Sequence, residues 1–271
     1  MPELPEVETT RRGIQGALQG RRIERLILRE RRLRWPVGPS VARAVGGQRV
    51  LGTARRAKYL LLRLENGTLI LHLGMSGSLR VLESGIEPGR HDHYDLLLDD
   101  GKCLRFNDPR RFGSLHWTRA DPARHRLLAS LGPEPLGPQF DADYLVRSAR
   151  GRRVALKQLL MDQRIVVGVG NIYASEALFH AGIDPRRAAG RVGERRLARL
   201  VGAVRDVLEA AISHGGTTLR DYVGAQGAPG YFRQELFVYE RGGEPCRRCG
   251  TPIRHIVQGQ RSTYFCPRCQ R

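Results

Sequence analysis

The sequence predicts an α+β protein: an antiparallel β-sandwich with a helix at its start, then a helical region, then a small C-terminal hairpin. Short alternating apolar segments, separated by Gly, Asp and Asn, occupy residues 21–118 and are typical of strands. Apolar residues at helical spacing replace them beyond residue 140. Two Cys-x-x-Cys pairs near the C-terminus then enclose one more strand-like alternation.

The N-terminal segment is predicted to be a docked helix. Val7, Ile14 and Leu18 fall on one helical face, so the segment can attach to a core instead of fraying.

Seven short segments are predicted to be strands of the sandwich. Their connections are too short for crossover helices, so neighbouring strands are expected to pair antiparallel. The segments are residues 23–28, 49–53, 59–64, 68–73, 94–98, 103–106 and 115–117.

A proline-rich boundary at residues 132–139 separates this region from the helical one, because Pro interrupts both helices and strands. Helices are predicted at 141–149, 152–161, 171–181 and 193–213, the last ending at a Gly pair. The predicted domains are a β-sandwich at 1–131, a linker at 132–139, a helical domain at 140–230 and a finger at 231–271.

Composition points to a polyanionic partner. The 271 residues carry a formal net charge of +19, which favours nucleic acid first and an anionic membrane surface second. No apolar stretch reaches the length of a membrane span, and no signal-peptide pattern opens the chain. We therefore expect a cytoplasmic protein.

Four of the five cysteines form a predicted zinc site. Cys246 and Cys249, then Cys266 and Cys269, are two-residue-spaced pairs that suit one tetrahedral ion. Disulfides are the alternative, but they need an oxidising compartment that nothing else in the chain indicates. Cys103 alternates with apolar residues and is expected to be a buried core thiol.

The alternation between the two cysteine pairs predicts a hairpin whose tip carries Arg261. A zinc-stapled hairpin is rigid enough to deliver this charge to a phosphate. An exposed turn arginine without a role is an equally good interpretation of position alone.

The N-terminus offers a nucleophile. Loss of Met1 leaves the secondary amine of Pro2, and an α-amino group is partly unprotonated at neutral pH. Glu3 and Glu6 lie within one helical turn as candidate proton carriers. The alternative is a simple helix start, which Pro and acidic residues also favour.

Two further segments suggest phosphate contacts. Lys58 follows a basic run and precedes an apolar strand, although such runs are usually solvated. Asn171, after Gly168 and Gly170, opens a predicted helix whose free N–H groups could bind phosphate, although Asn there is ordinarily a cap.

Two predicted turns carry side chains that suit insertion into a base stack. Residues 73–77 present Met75, and residues 107–113 present Arg110 and Phe112. Ordinary strand-closing turns are the alternative. An enzyme that acts on the sugar of one nucleotide must expel that nucleotide and hold the gap open.

These motifs together resemble the bacterial formamidopyrimidine-DNA glycosylases (Fpg), which are 8-oxoguanine DNA glycosylase/AP lyases. The resemblance runs nearly end to end, with six motifs in the same order. They are residues 2–8, the Lys58 segment, residues 72–77, residues 108–113, residues 168–176 and the four-cysteine finger.

The resemblance implies an N-terminal β-sandwich, a helix-two-turns-helix domain and a zinc finger, with DNA in the cleft between. Pro2 is then the Schiff-base nucleophile and Glu3 the proton donor. Lys58 serves as proton donor for β-elimination, and Arg261 serves for δ-elimination and as a phosphate contact. The enzyme would release 8-oxoguanine and formamidopyrimidines from duplex DNA and cleave the strand by β,δ-elimination.

The resemblance also implies the DNA contacts. Met75, Arg110 and Phe112 fill the vacated space, with Arg110 facing the unpaired cytosine. Asn171 and Arg261 contact the phosphates that flank the flipped nucleotide, and His72 and Tyr239 are further phosphate-contact candidates. The lesion base is expected under residues 217–230. The expected partner is double-stranded DNA with oxidised bases. The protein is expected to be a monomer that associates with the nucleoid through DNA binding.

Two other functions stay open. An endonuclease VIII-like enzyme shares the Pro-Glu start but prefers oxidised pyrimidines. Leu4, Met75 and the Arg110 motif favour the purine-directed branch instead. A non-catalytic zinc-finger DNA-binding protein explains the charge and the zinc but leaves the Pro2-Glu3 terminus unexplained.

Overall fold

The computed structural model describes residues 2–216 and 236–271, which form two compact units. The N-terminal unit comprises residues 2–129 and 214–216. The C-terminal unit comprises residues 130–213 and 236–271. The expected lesion-base segment at 217–230 lies outside the described residues.

The N-terminal unit is a β-sandwich with a helix at its start, as the sequence predicted. Two four-stranded antiparallel sheets have the orders β1-β6-β7-β5 and β2-β3-β4-β8. The strands are β1 (Ile23–Leu28), β2 (Val50–Arg56), β3 (Tyr59–Leu64), β4 (Gly67–His72), β5 (Ser78–Glu83), β6 (Asp92–Leu98), β7 (Lys102–Asn107) and β8 (Ser114–Thr118).

Helix α1 (Leu4–Leu18) packs into the core between these sheets. Val7, Ile14 and Leu18 are fully buried there, among Leu, Ile and Val side chains from both sheets. Burying apolar side chains of this size stabilises the fold by roughly 1.5–3 kcal/mol each. The start of the chain is therefore anchored.

Two elements of this unit were missed from sequence. Strand β5 lies at the edge of its sheet and pairs only with β7. The short helix α2 (Pro39–Val45) buries Val45 alone, so it has little apolar periodicity to detect. Cys103 is completely buried in β7, as predicted.

The C-terminal unit combines four helices and a hairpin. The elements are α3 (Ala142–Ala149), α4 (Leu156–Met161), α5 (Asn171–His180), α6 (Glu194–Ser213), β9 (Arg254–Gln258) and β10 (Arg261–Phe265). The proline-rich segment is held against α6, where the Arg205 guanidinium donates to two of its backbone carbonyls, those of Pro135 and Gly137, and to that of Phe140 just after it.

Helix α4 begins later than the predicted residue 152. Residues 152–155 instead pair through their backbone with residues 187–190, including a bridge between Ala155 and Ala188. That pairing uses the amides and carbonyls that a helix would need. None of the described helices combines the length and apolar character that a bilayer crossing requires.

Candidate active site and nucleic-acid interface

The start of α1 holds the proposed nucleophile in a fixed place. Glu3 is the N-cap residue, and the Glu6 carboxylate accepts its backbone N–H at 2.8 Å, so the two residues form a capping box. Pro2 and Glu3 are both buried. The helix-start interpretation of this motif is therefore correct. It also explains how a chain terminus can be ordered enough to act, because the cap fixes the residue after Pro2.

The segment that leads toward residues 217–235 passes this cap. A Cβ on Gly216, whose φ is +85°, would lie 3.2 Å from Glu6 Oε1. A side chain at position 216 would therefore crowd the Glu6 carboxylate, which glycine avoids.

Lys58 lies in the two-residue turn between β2 and β3, and the apolar strand β3 begins one residue after it. The preceding Ala57 has φ of +56°, a left-handed conformation that costs a non-Gly residue roughly 1–2 kcal/mol. Arg55 donates to the Ala57 carbonyl at 2.9 Å and pairs with Glu8 of α1 at 3.4 Å. Helix α1 therefore positions both the N-terminus and the Lys58 turn.

The electrostatics of Glu8 suit this anchoring. Burial acts to raise the pKa of Glu8, but hydrogen bonds from Arg11 and Arg12 and the charge of Arg55 outweigh it, and the net pKa is lowered. Glu8 therefore stays ionised at neutral pH and keeps its hold on Arg55.

The two predicted wedge loops, residues 73–77 and 107–113, are tied together by Asp108. This fully buried carboxylate accepts from Ser76 Oγ of the first loop and from the Gly113 N–H of the second, each at 2.8 Å. His93 Nε2 lies 2.7 Å from the Asp108 carbonyl. Asp108 opens the motif at residues 108–113, but its position in the sequence did not predict this function.

Gly74 lets the loops approach each other. Its φ is +69°, and a Cβ there would lie 2.4 Å from both Gly113 N and Phe112 C. Phe112 is 41% exposed, and the Arg110 guanidinium lies over its ring at 5.1 Å. Met75, the residue after Gly74, is half-buried. The loops thus present an apolar and cationic edge, as an intercalating wedge requires.

His72, at the end of β4, is oriented by the same loop. Its Nδ1 accepts the Gly74 N–H at 2.9 Å, which leaves Nε2 as the donor nitrogen of the neutral ring. Burial, reinforced by the charges of Lys58 and Arg34, lowers the pKa of His72 to about 4. A phosphate contact by His72 at neutral pH is therefore a neutral hydrogen bond.

In the C-terminal unit, Asn171 and the hairpin meet at one carbonyl. Asn171 opens α5 behind the N-cap Gly170, and its Nδ2 donates to the Ser262 carbonyl at 3.0 Å. Tyr239 Oη lies 3.5 Å from the same nitrogen. The neighbouring Arg261 is exposed. It begins β10 and pairs with Gln258, so the turn itself is Gly259-Gln260 and not Arg261.

Lys157 of α4 was not predicted from the sequence to belong to the site. It is buried, with only 1% of its surface exposed. Its Nζ donates to the Ser262 carbonyl at 3.0 Å and to Thr263 Oγ1 at 2.8 Å. Two donors therefore hold the backbone next to Arg261. A lysine within an apolar helix indicates a buried charge that needs partners, but the sequence does not show which residues those partners are.

Glu176 of α5 is a second missed residue. Its buried carboxylate accepts three consecutive backbone N–H groups, those of Phe237, Val238 and Tyr239, at 2.8–3.0 Å. Burial raises the pKa of Glu176, and the three hydrogen bonds oppose that rise. Glu176 thus fixes the position of Tyr239 relative to Asn171.

The four cysteines form the predicted metal site. Their sulfur atoms all lie within 4.8 Å of one another, and the Cys249–Cys266 and Cys246–Cys269 distances are 3.5 and 3.9 Å. Tetrahedral zinc with Zn–S bonds near 2.3 Å requires sulfurs about 3.8 Å apart. Backbone N–H groups of Arg248 and Cys269 point at sulfur, each at 3.4 Å, as ligating thiolates need.

Family sequence models match three successive parts of the chain. They are the formamidopyrimidine-DNA glycosylase N-terminal domain at residues 1–115, the formamidopyrimidine-DNA glycosylase H2TH domain at 131–223, and the zinc finger found in Fpg and IleRS at 243–271. The chain belongs to the formamidopyrimidine-DNA glycosylase family. The zinc-finger match, with the four-cysteine geometry, gives this Fpg family member one structural zinc ion.

Known proteins resemble this family member over its full length. The formamidopyrimidine-DNA glycosylase of Stutzerimonas stutzeri is 58% identical over 271 residues, which is 100% of both chains. The crystal structure of MutM (Fpg) from Thermus thermophilus has a TM-score of 0.90 at 42% identity, covering 99% of this chain and 98% of that one.

Two Lactococcus lactis Fpg structures with DNA also match, each at 32% identity over 100% of both chains. One is a mutant bound to DNA containing Fapy-dG, with a TM-score of 0.94. The other is the wild-type protein bound to DNA containing an oxidised pyrimidine, with a TM-score of 0.92.

Substitution of Gly74 tests the contact between the wedge loops. We expect Gly74→Ala to destabilise the protein by more than about 1 kcal/mol, because it adds left-handed strain to a backbone clash, and to weaken binding to damaged DNA. The matched control is Gly16→Ala in α1, where a Cβ meets no atom within 4 Å. That change should stabilise by about 0.5–1 kcal/mol. Urea denaturation measures both; equal stabilities for the two variants would show that the loops are not in close contact.

The histidines of the N-terminal unit predict acid lability. Burial lowers the pKa of His72 to about 4, and burial with the charge of His125 lowers that of His116 to about 4. Both fall below the ordinary value of 6.5, so the folded state favours the neutral rings. Their contribution to stability is complete above pH 6.5 and is lost as the pH falls from 6.5 toward 4. Denaturation at several pH values, with NMR titration of both rings, measures this; ring midpoints near 6.5 would contradict it.

Proposed function

We propose that this chain uses the Pro2 amine to release 8-oxoguanine and formamidopyrimidines from duplex DNA and then cleaves the strand by β,δ-elimination. Membership of the family makes the chain a bifunctional DNA glycosylase/AP lyase of base-excision repair. One observation carries the residue assignment: the Pro2-Glu3 terminus is buried and capped by Glu6 in a chain that matches Fpg relatives from end to end.

The reaction begins when the Pro2 nitrogen, freed by loss of Met1, forms a bond to the sugar C1′. The bond from C1′ to the base breaks, and the oxidised purine leaves, with the proton that the Pro2 nitrogen loses balancing the proton that the purine gains. Glu3 protonates the ring oxygen, so the sugar opens and an iminium links Pro2 to C1′. The cap supports this assignment because it holds the Glu3 backbone next to the nucleophile.

Strand cleavage follows from the same intermediate. The iminium withdraws electrons, so loss of a sugar proton expels the 3′ phosphate, and a second elimination expels the 5′ phosphate. We assign Lys58 to the first step and Arg261 to the second as proton donors. The buried turn at Lys58 and the doubly held backbone beside Arg261 support these assignments.

The remaining site residues contact the DNA around the extruded nucleotide. Met75 and Phe112 fill the gap in the duplex, and Arg110 faces the unpaired base. His72, Asn171 and Tyr239 contact phosphates beside the lesion. In the N-terminal unit, these assignments are supported by Asp108, which joins the two wedge loops. In the C-terminal unit, they are supported by the Ser262 carbonyl, to which Asn171 donates.

Some oxidised pyrimidines also belong to the proposed substrate range. The Lactococcus lactis relative has been captured on DNA containing either Fapy-dG or an oxidised pyrimidine. Preference for pyrimidines alone, as in endonuclease VIII, is the second candidate.

We further propose that the protein works as a monomer on the nucleoid in the cytoplasm. The division into a catalytic domain at 1–131, a linker at 132–139, an H2TH domain at 140–230 and a finger at 231–271 is part of the same proposal.

Product analysis with Arg261→Ala tests the assignment of the two eliminations. On a duplex with 8-oxoguanine opposite cytosine, wild-type protein should give base release and the β,δ product. The variant should still release the base but accumulate the β product, because its donor for the second step is missing. Its salt slope for binding should also fall by about one unit. Arg254→Ala, at an exposed position of the paired strand, is the control.

Two outcomes would contradict the proposal. A full yield of δ product from Arg261→Ala would remove Arg261 from that step. Absence of base release by the wild-type protein, with cleavage confined to an oxidised-pyrimidine duplex, would favour the endonuclease VIII-like function.

A further inference from the structure

Nearly half of the chain's excess charge lies on two short segments of the C-terminal unit. Residues 147–153 and 186–199 contain ten arginines and one acidic residue, Glu194, so they carry nine of the net +19 charges. We call these ten residues the arginine surface. They are Arg147, Arg150, Arg152, Arg153, Arg186, Arg187, Arg191, Arg195, Arg196 and Arg199.

Backbone hydrogen bonds hold the two segments side by side. The Leu156 N–H donates to the Arg187 carbonyl at 2.8 Å, and the Gly190 N–H donates to the Arg152 carbonyl at 2.9 Å. A Cβ on Gly190 would lie 3.0 Å from Arg152 N, so a glycine permits this approach. The charges are thus brought together by the fold and are not merely close in sequence.

Most of this charge is uncompensated. Nine of the ten arginines are exposed, and within residues 2–216 and 236–271 only Arg186 forms a salt bridge, with Asp184 at 2.6 Å. Arg196 is half-buried, and burial together with the charges of Arg187 and Arg199 lowers its pKa. The guanidinium groups therefore repel one another, and a bound anion would relieve that repulsion.

The surface also has a concave part. Asp184, Arg186, Arg187, Ala188 and Arg191 line a depression of about 670 Å³. Three arginines and one carboxylate line it, so the depression carries a net positive charge and concentrates anions more strongly than a flat surface does.

The arginine surface is continuous with the hairpin that carries Arg261. The Arg186 guanidinium lies over the Phe265 ring of β10 at 4.7 Å. Gln258, the partner of Arg261 across the hairpin, donates to the Pro185 carbonyl at 3.4 Å. A polyanion that contacts Arg261 can extend onto these arginines.

We infer that the arginine surface is a second DNA-binding surface, which holds the phosphate backbone of duplex DNA outside the lesion site. Every cation in it is Arg, whose planar guanidinium binds phosphate in a bidentate manner. Backbone contacts of this kind carry no sequence information but supply non-specific affinity and permit sliding. The inference rests on the proposed function only in taking DNA as the partner.

Salt-dependent binding to undamaged duplex DNA tests this surface. The test variant combines Arg187→Gln, Arg191→Gln and Arg195→Gln, which removes three exposed charges. Its plot of log affinity against log salt concentration should be shallower than that of wild type by about two to three units. The charge-matched control combines Arg25→Gln, Arg43→Gln and Arg119→Gln, three exposed arginines of the N-terminal unit. The control should keep the wild-type slope, and thermal unfolding confirms that both variants fold.

Three results would overturn the inference. Equal slopes for the test variant and wild type would show that these arginines do not contact DNA. Equal losses in the test and control variants would show an effect of bulk charge alone. If the test variant kept the wild-type salt slope for DNA but no longer bound poly-glutamate, the surface would be assigned to an acidic protein partner. Wild-type excision of 8-oxoguanine, assayed in parallel, keeps the proposed function separate from this result.

Discussion

The hydrogen bond between Glu6 and the Glu3 amide at the start of α1 is the constraint on which the proposed chemistry depends. A terminal amine is an unusual nucleophile because chain ends normally fray. Here the capping box closes the first helical turn, and the buried Val7, Ile14 and Leu18 fasten the same helix to the sandwich core. The proposed nucleophile is therefore held in an ordered position by helix capping and apolar packing.

Helix α1 also organises the rest of the N-terminal unit's site. Through Glu8 and Arg55 it fixes the turn that carries Lys58, so one element sets the positions of both the proposed nucleophile and a proposed proton donor. Asp108 fixes the two wedge loops relative to each other. Glu176 fixes Tyr239, and Lys157 fixes the backbone beside Arg261. In each case a buried charge accepts or donates several hydrogen bonds, which offsets its desolvation and restricts it to one geometry.

The sequence was sufficient where one residue or a short spacing carries the chemistry. The cysteine spacing predicted the metal site, and the periodicity of α1 predicted its buried face. It was insufficient where a residue acts through a partner distant in sequence. Lys157 and Ser262 are 105 residues apart, and Glu176 and Val238 are 62 apart. Strand β5 and the delayed start of α4 were missed for the same reason, since both are decided by pairing with remote segments.

Borohydride trapping on a duplex with 8-oxoguanine opposite cytosine tests the central claim most directly. The protein is first verified by mass to lack Met1, and the attached residue is then mapped. The account predicts a covalent adduct at Pro2, and none from a form that retains Met1, whose proline nitrogen is an amide. An adduct at a lysine, or tight binding without any adduct, would contradict it.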